Sequence, residues 1–371
     1  MPRVRLKRLI LVVATILFIY AIGVITSVFY VHDDRETEEK PLLQFKRDQP
    51  LPKKQENKVD HKFLENRAEA EHIDKHDERE TNLHNANEVK DEGHWMESMD
   101  KKMRYRKKRL TNVCANYYNR HLIRINKLAE SPRRLRALVV NDQRRFLYSI
   151  AYKVGSTNWE RVIVELAGYK NVPNQKLYSH KALKWMPKFT TKEIVERLDN
   201  YTKFLFVRNP FSRILSAYKD KFVDHHFESF NKIGRTIIKN YRKSKFNETE
   251  IDGTDVSFQE FVDYLLDGHH KSNVHWTPIH SQNYPCEIDF NYIGKLEDSN
   301  DDIKYVLKKL GIWGHAYYRQ GNIDPAHEKQ RLATYYSSLD QQSFDELYRL
   351  YEPDFLIFGY RVSDIIRSNK N

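Results

Sequence analysis

The chain has 371 residues, among them 63 Lys or Arg and 51 Asp or Glu, which give it a formal net charge of +12. A surface with this excess of positive charge attracts polyanions, although charge alone does not distinguish nucleic acid from an anionic glycan or a small phosphorylated molecule. The pattern GxxxxGK[ST] occurs nowhere in the chain, which excludes a Walker A nucleotide-binding loop.

An uninterrupted apolar segment near the N-terminus indicates a membrane anchor. Residues 9–31 contain no charged side chain and span about 35 Å as a helix, enough for a bilayer core of about 30 Å. Four basic residues precede this segment, and such flanks stay in the cytoplasm. We therefore expect a cytoplasmic tail at 1–8, a transmembrane signal-anchor helix at 9–31 and a lumenal remainder. A cleaved signal peptide is the alternative, but the apolar segment is long and lacks a small-x-small cleavage site.

The next segment, 32–109, contains 19 basic and 20 acidic side chains and few aromatic ones. Such a composition does not bury enough apolar surface to offset the entropy that ordering costs, so we expect a flexible lumenal stem. The remaining residues, 110–371, have a net charge of about +9 and a length that suits one folded domain.

A tight loop between a predicted strand and a predicted helix lies at 152–158. Residues 146–151 are an apolar run typical of a buried strand, and apolar residues recur at helical spacing from Trp159 to Leu166. Gly155 lets the backbone turn sharply, and the N–H groups of the helix terminus have positive partial charge. The loop therefore predicts a phosphate or sulfate cradle, with an ordinary surface turn as the alternative. Its candidate binding residues are Tyr152, Lys153, Val154, Gly155, Ser156, Thr157 and Asn158.

A second loop of the same kind follows a second apolar strand segment, 204–207. Arg208 stands where this strand ends, and Pro210 keeps the preceding residue extended before a helix begins. Arg208 and Arg213 offer planar guanidinium groups to a phosphate, and the hydroxyl of Ser216 can complete its shell. Arginines that are solvated or paired with carboxylates are the alternative.

Two anion loops favour a ligand with phosphate-type groups at both ends. Strand and helix patterns alternate along the domain, and residues 290–295 add another predicted strand. We therefore predict an α/β fold in a single domain, with a mainly parallel sheet flanked by helices and ligands at the carboxyl ends of the strands.

Four segments in chain order have a specific likeness: YKVGSTNW, RNPFSRILS, HWTPIHSQNYPCEIDFNYIGKLED and YEPDFLIFGY. The first resembles the 5′-phosphosulfate loop of the Golgi carbohydrate sulfotransferases, and the second resembles their 3′-phosphate motif. The other two are similar to segments of the chondroitin 4-sulfotransferase and HNK-1 sulfotransferase group. The resemblance covers roughly 110–362. Three positions depart from the pattern of that group. Tyr152 stands where the group usually has Pro, Gly155 and Ser156 stand where it often has Cys or Ala, and Asn209 stands where it often has Asp. These departures indicate a divergent member.

The resemblance implies the P-loop-NTPase-like fold of sulfotransferases and the donor 3′-phosphoadenosine 5′-phosphosulfate (PAPS). Lys153 then contacts the bridging and leaving oxygens as a catalytic residue, and the N–H groups of 155–158 hold the 5′-phosphate. Arg208 and Ser216 hold the 3′-phosphate, and Arg213 either joins them or forms a structural ion pair. Sulfuryl transfer needs alignment and charge neutralisation, which these groups supply without a metal.

The general base that would accept the proton of the acceptor hydroxyl is the least determined residue. His180 lies between the two donor motifs, where related sulfotransferases often place a catalytic His or Glu, and a neutral imidazole accepts a proton near pH 7. An ordinary loop histidine is the competing interpretation of His180. His225, His226, His275 and a carboxylate are the other candidates.

The resemblance favours transfer of sulfate to position 4 of N-acetylgalactosamine in chondroitin by an enzyme of the Golgi membrane. Sulfation of dermatan or an HNK-1-type glycan remains an alternative, as does a non-catalytic relative that only binds glycans. Lys153, Arg208 and Ser216 are all present, which favours an enzyme. A lumenal kinase is disfavoured by the missing Walker A loop, and a secretory anchor disfavours nucleic acid as the polyanion.

Two further features suit an oxidising, glycosylating lumen. Cys114 and Cys286 are the only cysteines and are candidates for a disulfide, although the sequence leaves their pairing open. Asn200 and Asn247 each begin an Asn-x-Thr sequence and are candidate glycosylation sites.

Overall fold

The structure is a computed structural model that describes residues 92–224, 227–243, 251–315, Tyr318 and 325–362. The expected cytoplasmic tail, the expected membrane anchor and most of the expected stem lie outside these residues. In the described part of the chain, no helix combines the length and apolar character that crossing a bilayer requires.

The described residues, all within the compact unit Asp74–Asn371, alternate between helices and strands. The α-helices are α1 (Glu92–Tyr118), α2 (Ile125–Ala129), α3 (Pro132–Leu135), α4 (Ser156–Leu166), α5 (Asn174–Leu177), α6 (Thr191–Asn200), α7 (Pro210–Tyr218), α8 (Glu228–Tyr241), α9 (Phe258–Leu266), α10 (Ile279–Gln282), α11 (Ser299–Lys309), α12 (Pro325–Ser337) and α13 (Gln341–Phe358). The strands are β1 (Leu138–Asn141), β2 (Phe146–Ser149), β3 (Lys184–Trp185), β4 (Thr202–Val207) and β5 (Tyr292–Lys295). Short 3₁₀ segments occur at Met186–Lys188 and His269–Lys271, and a π-helical turn follows α7 at Lys219–Val223.

The described strands form one mixed sheet in the order β3-β1-β2-β4-β5. β2, β4 and β5 are parallel neighbours, whereas β1 pairs antiparallel with both β2 and β3. The α/β class with flanking helices is confirmed, and the expectation of a mainly parallel sheet is corrected to a mixed one. The reason is the short connection 142–145 between β1 and β2, because a tight turn joins antiparallel strands while a parallel pair needs a longer crossover.

The parallel half of the sheet brings the two predicted anion loops together. The strand register pairs Ser149 with Leu205 and Val207 with Lys295, so the carboxyl ends of β2, β4 and β5 share one edge. The loops after β2 and β4 therefore leave the sheet side by side. This edge is where open α/β sheets bind ligands.

Helix α1 begins inside the segment 32–109, which the sequence interpretation assigned to the flexible stem. Met99 and Met103 are buried, and α1 packs on β5, α11 and α13. Arg106 donates from Nη1 to Asp302 (2.5 Å) and to the carbonyl of Ile293 (2.9 Å). Residues 92–109 therefore belong to the folded unit. Their average composition is highly charged, but helical spacing collects the apolar side chains and one paired arginine on a single face.

Aromatic packing fixes helix α4 against the sheet. Trp159 is fully buried, and its ring centroid lies 4.8 Å from that of Phe204 and 5.1 Å from that of Phe206, both on β4. Large buried aromatic side chains contribute strongly to core stability. The helix that begins at the first anion loop is thereby held against the strand that ends at the second.

A second core cluster joins helix α7 to helix α12. Phe211 at the start of α7 stacks on Tyr336 of α12, with ring centroids 4.5 Å apart, and the Tyr336 hydroxyl donates to the Phe211 carbonyl at 2.9 Å. Phe355 of α13 meets the same Phe211 ring edge-on at 5.0 Å. Helix α12, far along the chain, is thereby fixed beside the helix that follows the second anion loop.

Cys114 and Cys286 are joined by a disulfide bond with their Cα atoms 5.5 Å apart. The bond links α1 to the segment before β5, across a sequence separation of 172 residues. Asn200 is exposed at the last residue of α6, where its amide donates to the Glu196 carbonyl at 3.0 Å. Asn247 lies outside the described residues.

Candidate active site

The first anion loop is held in a conformation that favours glycine at one position. Gly155 has a φ of +84°, and a Cβ atom there would collide with the hydroxyl of Tyr318. That hydroxyl donates to the Gly155 carbonyl at 3.2 Å. Lys153 has a φ of +69°, a left-handed conformation that is uncommon for residues other than glycine and often marks functional sites. The conformation of the loop therefore requires a glycine at position 155.

Helix α4 begins directly after this loop, at Ser156. The N–H groups of a first helical turn have no acceptor inside the helix, and they give the terminus its positive partial charge. Of the N–H groups assigned to phosphate binding, that of Asn158 donates to the Gly155 carbonyl at 3.1 Å. Val154 and Ser156 are buried, whereas Thr157 is exposed. The loop is thus attached to the core by Val154 and Ser156, while the side chain of Thr157 faces solvent.

The second anion loop is shaped by a helix cap. The Asn209 side chain accepts hydrogen bonds from the N–H groups of Phe211 (3.0 Å) and Ser212 (3.4 Å), and Pro210 occupies the first helical position. The Asn209 N–H donates to the Glu297 carboxylate at 2.7 Å. Asn and Asp cap helices about equally well. This role explains why Asn209 can stand where the resembling sequences usually have Asp.

One polar pocket of about 230 Å³ contains residues of both loops. Lys153 comes from the first loop, whereas Arg208 and Ser216 come from the second loop and from α7. The structure therefore brings together three of the residues that the sequence assigned to the donor. The lining residues are Lys153, Arg208, Leu215, Ser216, Lys219, Asp220, Asp224, Glu328 and Arg331.

Lys153 is paired with a carboxylate that sequence reasoning missed. Its Nζ donates to Asp220 at 2.8 Å, and Lys221 approaches the same carboxylate at 3.0 Å. Burial raises the pKa of Asp220, but its hydrogen bonds to the two lysines lower it more, to about 2. Burial lowers the pKa of Lys153, and Asp220 opposes that shift. Asp220 lies in the π-helical turn after α7, in the sequence Lys-Asp-Lys, which resembles any solvated charge run.

Arg208 connects the two loops and the C-terminal part of the chain. Its Nη1 donates to the Lys153 carbonyl at 3.3 Å, and its Nη2 donates to Glu328 of α12 at 2.5 Å. The other carboxylate oxygen of Glu328 accepts from Arg331, one turn further along the same helix. Neither Glu328 nor Arg331 belongs to a segment with a sequence signal, and only the packing of α12 against α7 places them in the pocket.

Arg213 has a different role from the one proposed for donor binding. It is 1% exposed, and its guanidinium donates to the carbonyls of Tyr152 (2.8 Å), Thr277 (2.8 Å) and Val274 (3.1 Å). These bonds tie α7 to the first anion loop and to the segment before α10. The structure does not place Arg213 among the pocket-lining residues, so we assign it a structural role.

The candidate base His180 lies after α5 and does not line the pocket. Its Nδ1 accepts from the N–H of Ala182 at 3.2 Å, and its ring meets Tyr169 edge-on with centroids 4.6 Å apart. Two of the alternative candidates, His225 and His226, lie outside the described residues.

His275, the remaining histidine candidate, lies near Lys153. Its ring packs edge-on against Tyr152, with centroids 5.0 Å apart, and also contacts Phe230. Burial, followed by the positive charges of Lys221 and Lys153, lowers the pKa of His275 to about 3. The imidazole is therefore neutral near pH 7, but a pKa so far below the operating pH makes His275 a weak proton acceptor.

Comparison with known proteins gives a family match that covers the whole pocket. The model of the sulfotransferase family matches residues 136–361, a range that includes both anion loops and every residue that lines the pocket. The chain belongs to this family. Its sequence relatives are named carbohydrate sulfotransferases, so the chain is a divergent member of that group.

The relatives match most of the chain at moderate identity. Carbohydrate sulfotransferase 11 of Rattus norvegicus is 33% identical over 248 residues, which are 64% of this chain and 70% of the relative. Carbohydrate sulfotransferase 14 of Danio rerio is 35% identical over 261 residues, 69% and 70% of the two chains. Carbohydrate sulfotransferase 8 of Mus musculus is 31% identical over 274 residues, 71% and 64% of the two chains. No solved structure gives a significant match to the chain.

Proposed function

We propose that the protein is a carbohydrate O-sulfotransferase, which transfers a sulfuryl group from PAPS to a hydroxyl of a glycan. The observation that carries the proposal is the pocket in which Lys153, Arg208 and Ser216 meet. These residues come from two loops at the same edge of the parallel strands, as a donor with phosphate groups at both ends requires. Membership of the sulfotransferase family supports the same donor.

The residues of the pocket, together with the neighbouring N-terminus of α4, fit the chemical groups of PAPS. Lys153 and the terminus of α4 suit the 5′-phosphosulfate end, because an ammonium group and helix N–H groups both stabilise anions. Arg208 and Ser216 suit the 3′-phosphate, to which a guanidinium offers two parallel donors. PAPS supplies the activated sulfuryl group. With PAPS bound, Lys153 would neutralise the charge that develops on the leaving phosphate, and the loop conformation would hold its backbone in place.

The general base is proposed from two histidines. His180 lies in the interval expected from the resemblance, and His275 lies beside Tyr152 and near Lys153. Each is tested by a substitution to Ala and to Gln. Loss of the rate of transfer with donor binding retained identifies the base, because a base acts on the acceptor hydroxyl and not on the donor phosphates.

The proposed acceptor is position 4 of N-acetylgalactosamine in chondroitin, with dermatan and HNK-1-type glycans as the alternatives. The excess of positive charge on 110–371 suits an anionic glycan. We further propose that the protein is a single-pass type II protein of the Golgi membrane, anchored by residues 9–31. Its catalytic part would lie in the lumen, where Asn200 and Asn247 can be glycosylated.

The experiment follows radiolabelled sulfate from PAPS into a panel of desulfated chondroitin, dermatan and HNK-1-type acceptors. We expect Lys153→Ala and Arg208→Ala to abolish transfer while the melting temperature shows a folded protein. Lys184→Ala is the matched control, because Lys184 is exposed and its ion pair with Asp142 at 3.4 Å contributes little. If the native protein neither binds PAPS nor labels chondroitin, dermatan or any other glycan acceptor, the proposal is refuted. Binding of glycan without transfer would identify a non-catalytic relative, and transfer of phosphate from ATP would identify a kinase.

A further inference from the structure

Glu328 occupies the position at Arg208 that an incoming phosphate needs. The Nη2 atom of Arg208 donates to Glu328 at 2.5 Å, and both side chains are largely buried, with 11% and 13% of their surfaces exposed. A carboxylate and a phosphate use the same face of a guanidinium group. A phosphate that binds to Arg208 must therefore displace Glu328 or share the guanidinium with it.

Arg331 is a second guanidinium on the same carboxylate. It lies one turn after Glu328 on α12, donates to Glu328 and lines the same pocket as Arg208. Among the described residues, its Nε is a buried donor without a hydrogen-bond partner. Burial of an unsatisfied donor is unfavourable, so Arg331 has unused capacity to bind an anion.

The position of α12 is fixed by contacts outside the pocket. Tyr336 stacks on Phe211 and donates to its carbonyl, and Leu332, the residue after Arg331, is buried. The helix axis is thus held against α7. The side chains of Glu328 and Arg331 can exchange partners without movement of the helix.

We propose that Arg331 is a donor-binding residue and that Glu328 is an internal competitor of the 3′-phosphate of the donor. This inference rests on the proposed function. When the 3′-phosphate binds, it takes the place of the Glu328 carboxylate between Arg208 and Arg331. Glu328 therefore sets the affinity for every nucleotide that has a 3′-phosphate, and it leaves nucleotides without that group unaffected.

Competition by Glu328 should also affect binding of the reaction product. Adenosine 3′,5′-bisphosphate, which remains after transfer, keeps the same 3′-phosphate as the donor. The return of Glu328 to Arg208 stabilises the protein after the product leaves and so favours product release. Removal of the Glu328 charge should strengthen inhibition by this product.

The first test compares two nucleotides by calorimetric titration of the full chain. Adenosine 3′,5′-bisphosphate has the 3′-phosphate, and adenosine 5′-phosphosulfate lacks it. We expect Glu328→Gln, which keeps the shape and removes the charge, to tighten binding of the bisphosphate about tenfold. Binding of the phosphosulfate should stay within about twofold of the native value. Glu196→Gln, at an exposed position of α6, is the control and should change neither.

The second test removes Arg331, the second guanidinium that donates to Glu328. We expect Arg331→Ala to weaken binding of the bisphosphate about tenfold and Arg331→Lys to weaken it less, because an ammonium keeps the charge but loses the planar fork. Arg349→Ala, at an exposed position of α13, is the control. The melting temperature of each variant separates a loss of binding from a loss of folding, and Arg331→Lys keeps the test valid if the Ala variant does not fold.

The outcomes separate this inference from the proposed function. If the native protein binds neither nucleotide, the proposed function and the inference both fail. If it binds the bisphosphate and Glu328→Gln leaves that affinity unchanged, the inference alone fails. It also fails if Glu328→Gln tightens both nucleotides equally, since a general effect of charge would then replace competition at the 3′-phosphate.

Discussion

Asp220→Asn is the substitution whose effect on stability follows most directly from the structure. The carboxylate of Asp220 is 25% exposed and accepts hydrogen bonds from Lys153 at 2.8 Å and Lys221 at 3.0 Å. Although burial alone raises its pKa, the two lysines lower the pKa from 3.8 to about 2. A shift of one pKa unit corresponds to about 1.4 kcal/mol. The ionised carboxylate therefore stabilises the folded protein by about 2 kcal/mol at pH 7.

The pH dependence has a definite direction. The folded-state pKa of Asp220 is below its unfolded value, so the stabilisation is complete above about pH 5 and is lost as the pH falls toward 2. About 1 kcal/mol should remain at pH 3. Asp220→Asn lacks this contribution at every pH. The difference in the free energy of unfolding between the native protein and the variant should therefore shrink as the solution is acidified.

Urea unfolding at pH 7, 5 and 3, followed by tryptophan fluorescence, measures this difference. Asp224→Asn is the matched control: Asp224 lines the same pocket, but its side chain is 48% exposed and its ion pair with Lys219 is 3.7 Å long. The control should change the free energy of unfolding by less than about 0.5 kcal/mol. A loss for Asp220→Asn that is the same at all three pH values would refute the electrostatic explanation and point to packing.

Three further substitutions test the scaffold of the site. Replacing Cys114 and Cys286 by Ser should lower the free energy of unfolding by about 3 to 5 kcal/mol, because the disulfide closes a long loop of the unfolded chain. Denaturant titrations measure this loss, and equal stability would show that the bond does not form. Gly155→Ala should weaken binding of adenosine 3′,5′-bisphosphate in calorimetry and lower the free energy of unfolding by about 1 kcal/mol or more. The reason is that residue 155 has a φ of +84° and that a Cβ there would meet the Tyr318 hydroxyl. Native affinity would contradict the loop geometry. Asn209→Asp should retain the native melting temperature while Asn209→Ala costs about 1 kcal/mol, and equal losses for both would exclude the capping role.

The part of the site that could be predicted is the part encoded by local sequence. Each loop follows an apolar strand and precedes an amphipathic helix, so the identity of Lys153 and Arg208 as loop cations was apparent from the chain alone. Parallel neighbouring strands end at the same edge of a sheet, and this rule brings Ser216 and both cations into one pocket. The two loops converge because each is coupled to its own strand.

The missed parts depend on contacts between distant segments. The sequence left Arg213 open between donor binding and a structural ion pair, whereas three backbone carbonyls satisfy its guanidinium, two of them in the segment before α10. Glu328 and Arg331 reach the pocket only because Tyr336 packs on Phe211. No local pattern reports which carboxylate will meet which cation.

The antiparallel pair of β1 and β2 and the start of helix α1 were not predicted, for a different reason. The strand pair of β1 and β2 is joined by the short connection 142–145, and neither strand exceeds four residues, so its hairpin pattern is weak. Helix α1 has its apolar residues spread among many charged ones, and the average composition conceals the face that includes Met99, Met103 and Arg106. Average composition therefore described the stem wrongly from residue 92 onward.

The pocket shows how a site that binds a polyanion can be stable as a folded structure. Lys153 and Arg208 lie close enough for the main chain of one to accept from the side chain of the other, and neighbouring positive charges repel each other when partly buried. Asp220 offsets this repulsion at Lys153, and Glu328 offsets it at Arg208. Under the proposed function, the same carboxylates give way to the phosphates of the donor, so we expect each to stabilise the fold and to lower the donor affinity. Neutralising either one should therefore move stability and affinity in opposite directions, whereas changes at Arg213, which is satisfied by carbonyls, should lower both.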